Sequence, residues 1–232
     1  MIITSTHNDK LKEIRKLARR RERDYRGRFV AEGEDLVDAA RAVGWEPVHL
    51  LVAAGSGLEG EEVEQPLLDG VSGLASGARA IGVYESRWGA PAGPLCVYLH
   101  GVADPGNVGT ILRSAVAFGA DSVVLGPGCA DPFGPKAVRA SMGAIFEVPV
   151  ARAAGIDDVP GARIALVAGT GAALTGPADG DTTLVVGAER DGLPADVVAA
   201  CDRVARIPIA TESLNAAMAA TVALYELTRG EL

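Results

Sequence analysis

The chain is poor in the residues on which several chemistries depend. It has three cysteines and three histidines in 232 residues. Cys96, Cys129 and Cys201 are spread without any CxxC or Cys/His spacing, which argues against a disulfide framework and against a zinc site. All three read as small buried hydrophobes. His7, His49 and His100 have no second ligand at helical spacing, so no metal is expected. His100 closes an apolar run and reads as a strand-end residue satisfied by backbone rather than as a general base. No stretch approaches the ~20 apolar residues of a membrane span. The amino terminus, Met1 to Ser5, passes straight into a charged segment with no signal-peptide pattern. Together these absences predict a cytoplasmic protein with no membrane partner.

What is present is aliphatic. Hydrophobic residues make up 48% of the chain, drawn largely from Ala, Val and Leu, enough to bury a core in one large domain or two small ones. Two are expected. The formal charge of −8 argues against a nonspecific nucleic-acid coat, but it is unevenly spread. Residues 1–28 hold ten Lys or Arg against four Asp or Glu, a net of +6, which leaves −14 for the remainder. Within that basic end, Leu11, Ile14, Leu17 and Ala18 recur at helical spacing and predict a helix with a narrow apolar stripe and a basic face. The further run of Arg21, Arg23, Arg26 and Arg28 favours phosphate, because guanidinium binds it in bidentate fashion. A merely solvated face is the competing account.

The remaining pattern alternates. Strands are predicted at Phe29–Ala31, His49–Ala53 and Ala80–Tyr84, a helix at Asp35–Ala42, a loop over Gly55–Gly70 and a short helix over Val71–Ala75. The Pro- and Gly-rich stretch from Ser86 to Pro94 marks a boundary between domains at 1–88 and 89–232. Beyond it, strand Leu95–Leu99, helix Asn107–Phe118 and strand Ser122–Leu125 form a βαβ unit. Strands follow at Ile164–Ala168, Leu184–Gly187 and Val204–Ile209, with helices at Lys136–Ser141, Ala195–Ala200 and Leu214–Thr228. The second domain is therefore α/β with a largely parallel sheet.

Three stretches sit where an apolar strand gives way to a loop or helix, the ligand-gathering end of α/β sheets. In Asp104-Pro105-Gly106-Asn107-Val108-Gly109-Thr110-Ile111-Leu112-Arg113, glycines precede a helix, but the GxGxxG spacing of a dinucleotide site is missing. Gly169-Thr170-Gly171 also lacks the third glycine, which disfavours a nicotinamide-dependent oxidoreductase. Asn107 is a candidate helix cap, and Gly109 a residue for tight helix packing. Arg113 falls in an apolar segment where a charge would be costly without a partner; it either reaches back toward Asn107 or forms a structural ion pair. In Gly187-Ala188-Glu189-Arg190-Asp191-Gly192-Leu193 an acid stands between glycines, which an ordinary turn explains nearly as well. In Ser213-Leu214-Asn215, Ser213 is a natural helix cap, whereas Asn215 is a poor helix interior residue.

In order, spacing and strand context these stretches resemble the three signature motifs of the SpoU (TrmH) family of SPOUT RNA ribose methyltransferases. Lys136-Ala137-Val138-Arg139-Ala140-Ser141-Met142-Gly143-Ala144 is also similar to that family. The first domain, with Arg28-Phe29-Val30-Ala31-Glu32-Gly33, resembles the small RNA-binding domain related to ribosomal protein L30e that precedes the catalytic domain in many members. The resemblance implies a trefoil knot near the carboxyl terminus, a homodimer, and S-adenosylmethionine held by backbone near Ala168, Gly187, Ile207 and Leu214. It implies that Asn107, Arg113, Glu189, Ser213 and Asn215 surround a reacting ribose, with structured RNA as substrate, ribosomal RNA ahead of transfer RNA. A noncatalytic RNA-binding or assembly protein on the same scaffold is the alternative. The loop from Pro208 to Ser213 is shorter than usual in the family and lacks its frequent glycine.

Overall fold

A computed structural model describes residues 2–74 and 77–230. The basic end forms α1 (Asp9–Leu17) and α2 (Arg20–Arg26). Asn8 caps α1 by accepting from the Lys10 amide, and Leu11, Ile14 and Leu17 bury its apolar stripe. Ala18 falls outside that stripe and is exposed. The arginine run is less available to phosphate than its sequence suggests. Arg23 is buried on Asp131, Arg26 pairs with Glu22 and Arg28 with Glu13.

The first sheet is built from β1 (Arg28–Glu32), β2 (His49–Ala53), β3 (Glu61–Val63) and β4 (Ala80–Glu85), in the order β1-β4-β2-β3. α3 (Glu34–Ala42) and α4 (Gln65–Asp69) complete this half. The expected loop at Gly55–Gly70 is thus incorrect in its second part, which holds β3 and α4. The short helix expected over Val71–Ala75 lies earlier, at Gln65–Asp69, and Ala75 itself is outside the described residues. Glu61-Glu62-Val63 is too short and too charged for an alternation pattern to show; its pairing with β2 supplies the strand.

The second sheet is seven-stranded and parallel throughout, in the order β7-β6-β5-β10-β8-β11-β9. Its strands are β5 (Leu95–Leu99), β6 (Ser122–Leu125), β7 (Val150–Arg152), β8 (Ala162–Leu166), β9 (Ala172–Ala173), β10 (Thr182–Val186) and β11 (Arg203–Arg206). β5 and β10 at its centre are buried along their whole length, as expected of parallel strands covered on both faces. α5 (Pro105–Ala117), α6 (Pro135–Ser141), α7 (Ala195–Ala199) and α8 (Ala216–Thr228) pack around it. α5 and α6 approach closely at Gly109, where a Cβ would lie 2.3 Å from the Ala137 carbonyl oxygen. This bears out the packing role of that glycine.

The two sheets share a hydrophobic core. Phe29 and Tyr84 of the first contact Phe146, in the turn leading to the second sheet's β7, with ring centroids 5.8 and 5.1 Å apart, and Phe29 lies 4.9 Å from Phe133. Arg23 of α2 crosses the same junction. Its Nε and Nη2 donate to Asp131 at 2.9 and 2.7 Å, and its Nη1 donates to the Leu17 and Ala18 carbonyls.

Candidate active site

The carboxyl ends of β5, β8, β10 and β11 converge, and the three sequence motifs meet there. Asp104 begins α5. Its Oδ1 accepts from the Gly106 and Asn107 amides at 2.6 and 3.1 Å, with Pro105 in the first turn, where a missing N–H costs nothing. The cap is thus Asp104 rather than Asn107, and the Asn107 side chain is free for other work. Lys136 donates to the other carboxylate oxygen at 2.8 Å; that hydrogen bond is the main reason the Asp104 carboxyl titrates below the usual range.

Glu189 stands on a tight hairpin after β10. The Ala188 and Gly192 amides each donate to the other's carbonyl at 3.1 Å, and Gly192 turns the chain at φ +65°, a conformation natural to glycine. Gly187 permits the return, since a Cβ there would lie 2.4 Å from the Gly192 carbonyl carbon.

Asn215 caps α8: its Oδ1 accepts from the Ala217 and Met218 amides at 2.9 and 3.3 Å. Ser213 is not the cap; it lies exposed in the loop before. Asn215 is therefore not an interior residue, which removes the apparent penalty for an amide in a helix.

The freed groups form a polar chain. Asn107 Nδ2 donates to Glu189 Oε1 at 2.5 Å, and Asn215 Nδ2 donates to Asn107 Oδ1 at 3.1 Å. One residue from each motif is linked in order of charge, carboxylate to amide to amide. Such a chain polarises along its length and fixes each amide's orientation, so its remaining donors are held in place.

Glu189 and Ser213 also line a cavity whose walls include Val167, Ala168, Gly187, Ile207, Leu214 and Ala219. All four residues expected to hold a cofactor, Ala168, Gly187, Ile207 and Leu214, lie on this one cavity. Its walls are mainly aliphatic and backbone, with the Glu189 carboxylate and the Arg190 guanidinium at one side, an apolar pocket with a few polar groups to orient a small ligand. Ile209 and Ala216 line it too and were not singled out from sequence. Asp104 and Lys136 were also missed, although an Asp directly before Pro at a helix start is a recognisable cap signal.

Arg113 is not brought to this cluster within the chain. It is exposed, with no hydrogen bond or ion pair among the described residues, and lies about 9 Å along α5 from Asn107. The expectation of a costly buried charge is corrected by helical phase: Val108, Ile111, Leu112 and Ala115 form the buried face, and Arg113 falls on the solvent stripe with Thr110 and Ala117. The described residues contain no cluster of metal-ligating side chains and no helix long and apolar enough to cross a membrane. Burial pushes all three thiols up from their usual range, keeping them protonated.

Residues 94–225 match the SpoU rRNA Methylase family, and residues 8–86 match the MRM3-like substrate binding domain. The chain is 30% identical to the 23S rRNA (guanosine(2553)-2'-O)-methyltransferase RlmP of Bacillus subtilis, over 97% of this chain and 98% of that protein. It is 41% identical to an uncharacterized tRNA/rRNA methyltransferase of Mycobacterium tuberculosis over 56% of this chain. That match spans about half the length of the relative, 50%. An AdoMet-bound rRNA methyltransferase from Sinorhizobium meliloti superposes with a TM-score of 0.89 at 30% identity, covering 100% of this chain and 98% of that one. The SpoU methyltransferase AviRb from Streptomyces viridochromogenes, in complex with AdoMet, gives 0.84 at 26% identity, covering 97% and 98%.

Proposed function

Because the chain belongs to the SpoU rRNA methylase family, we propose that it transfers a methyl group from S-adenosylmethionine to a ribose 2′-hydroxyl of structured RNA. The observation that carries this is the Glu189–Asn107–Asn215 chain at the side of an aliphatic cavity. Ala168, Gly187, Ile207 and Leu214 would hold the cofactor, which supplies an electrophilic methyl on a sulfonium. The protein's task is then to orient the hydroxyl and to stabilise the charge that grows on its oxygen. Asn107 and Asn215 offer oriented amide N–H groups, and Ser213 a hydroxyl, at the edge where a ribose would lie. A guanidinium is too weak an acid to serve readily as a base, so the role fitting Arg113 is electrostatic, stabilising the alkoxide while gripping a neighbouring phosphate.

That role needs Arg113 to reach a site it does not meet in its own chain, and a homodimer provides the route. α5 and α8 are joined by the Ser114–Thr221 hydroxyl contact at 2.6 Å. Beside that seam α8 exposes Met218, Val222 and Tyr225, an apolar stripe unusual for a solvated helix. A second copy docked on this stripe would receive Arg113 at its edge. The path of the chain supports a trefoil knot: the segment between β9 and β10 bonds the end of α8 through the Ala178 amide and the Leu227 carbonyl. We take residues 1–88 as the RNA-binding part and 89–232 as the methyltransferase part, acting in the cytoplasm on ribosomal RNA ahead of transfer RNA.

The test supplies the protein with labelled S-adenosylmethionine and either unmodified ribosomal RNA transcripts or unmodified transfer RNA. A blocked 2′-hydroxyl makes the adjoining phosphodiester resist alkali. Alkali-resistant labelled dinucleotides from ribosomal RNA are expected; cofactor binding with no transfer to either RNA would overturn the proposal in favour of a noncatalytic RNA-binding protein.

A further inference from the structure

A second cleft, of about 370 Å³, opens between α2 and the carboxyl ends of β6 and β7. Arg20, Trp88, Pro127, Gly128, Asp131 and Arg152 line it. Its volume lies in the range of ligand sites, roughly 300–1,000 Å³, yet none of the three motifs contributes to it.

The charges of this cleft do not cancel. Asp131 is neutralised by the buried Arg23. Arg20 and Arg152 are left to share one carboxylate, Asp24, at 3.6 and 3.4 Å. Two cations against one anion leave a surplus positive charge on the cleft, in a chain whose total is −8. Both guanidiniums remain about half exposed, so their unused N–H donors face water. Arg152 is also held in place, its guanidinium carbon 3.9 Å from the Trp88 ring centroid. The indole supports the cation from one side by cation–π attraction, which reduces the ordering needed to bind an anion with the other.

Position gives the ligand. The second sheet is parallel throughout, so the ends of β6 and β7 open on the same edge as the end of β10, which carries Glu189. β6 is two strands and β7 three strands from β10, a separation of ~10–15 Å at the usual strand spacing. An RNA strand whose ribose lies at Glu189–Asn107–Asn215 and which continues along this edge would bring a nearby phosphate over the cleft.

Resting on the RNA methyltransferase reading above, we propose that this cleft binds the RNA backbone beside the target nucleotide, with Arg20 and Arg152 gripping a phosphodiester and Trp88 bracing Arg152. Asp24 holds the two arginines apart from RNA and yields them to the phosphate.

The experiment measures anisotropy of a labelled ten-nucleotide oligouridylate with the full-length protein at stepped salt, and S-adenosylmethionine affinity by calorimetry. Arg20→Ala and Arg152→Ala should each weaken RNA binding, and the double variant should reduce the slope of log affinity against log salt by ~0.7, the one phosphate on a single strand that the pair grips. Trp88→Leu should weaken binding without changing that slope. Asp24→Asn should act in the opposite direction and tighten binding, a result that damage to the fold would not produce. Cofactor affinity should be unchanged in all four. An unaltered salt slope in the Arg20→Ala/Arg152→Ala double variant, with wild-type cofactor binding, would overturn the cleft and leave the methyltransferase reading standing. Wild-type protein that binds RNA but no S-adenosylmethionine would instead strike that reading. Uridine monophosphate binding at these arginines as tightly as the decamer would make the cleft a mononucleotide site and overturn the proposal.

Discussion

The carboxamide of Asn215 divides its two ends between stability and chemistry: Oδ1 caps α8, while Nδ2 holds Asn107. Substitution separates these jobs. Asn215→Asp keeps the capping oxygen and loses the donor, so stability should stay within about 0.5 kcal/mol, while methyl transfer falls about tenfold or more as the amide chain to Glu189 loses its anchor. Asn215→Ala loses both and should also cost about 1 kcal/mol of stability. Thermal melts beside single-turnover rates distinguish the two; equal loss of stability in both variants would refute the division. Arg113 gives the complementary case. Exposed and without a partner among the described residues, it should be replaceable by Ala within about 0.5 kcal/mol of stability, while the rate at saturating cofactor drops by about 10²–10³ if it stabilises the alkoxide. Wild-type turnover by Arg113→Ala would remove it from the site. Both residues drew attention in the sequence, but for reasons that the structure reverses. Asn215 looked misplaced only because α8 was started two residues early, an error within the ordinary fuzziness of helix ends. Arg113 looked buried because its segment is apolar on average, although the spacing of Val108, Ile111, Leu112 and Ala115 already places it off the buried face.

At the scale of elements, the start of α5 matters most, because it places Asn107. Asp104 caps it and is held ionised by Lys136. The carboxyl's folded pKa is lowered from its ordinary value, so its stabilising contribution is fully present above the unfolded value of about 3.9 and is lost as pH falls through the lower folded value. Asp104→Asn keeps a capping oxygen but cannot ionise. Its stability deficit against wild type, measured by urea titration, should be constant above about pH 5 and shrink below about pH 4. The deficit should be small, since the pair is half exposed and screened by solvent. A deficit that grew on acidification would refute the assignment. Elements with strong local signals were legible: β2, β5 and β6 have the bounds expected from their apolar runs. β3, β7 and β9 were not, because strands of two or three residues draw their existence from neighbours rather than from their own pattern.

For the whole molecule, the break at Ser86–Pro94 suggests two parts, and two sheets are indeed found, yet one core runs through both. Sequence could place Phe29 in a strand, but it gave no element for Phe133 or Phe146 and could not bring them against it, since contacts between distant segments leave no local periodicity. Nor could it show that Arg23, one of a run of apparent phosphate binders, is spent across the junction on Asp131. These contacts set the position of α2 relative to the sheet edge, and hence any RNA surface spanning both parts. Asp131→Ala leaves a buried guanidinium with only carbonyl partners, a loss of about 3–5 kcal/mol. Because Phe29, Tyr84, Phe133 and Phe146 join the two sheets, that loss should lower the unfolding midpoint of both together. Trp45 packs against Phe29 and Phe146, and Trp88, the second tryptophan, against Phe133, so tryptophan fluorescence reports on the junction while far-ultraviolet dichroism reports on the whole. The two curves should coincide in wild type and shift as one in Asp131→Ala. The double variant Arg23→Met/Asp131→Leu, which removes both charges, should recover the part of the loss due to the unpaired charge but not the buried hydrogen bond that the Phe133 amide donates to Asp131 Oδ1. Curves that separate in wild type would mean that the two sheets unfold independently, and that the shared aromatic core does not couple them.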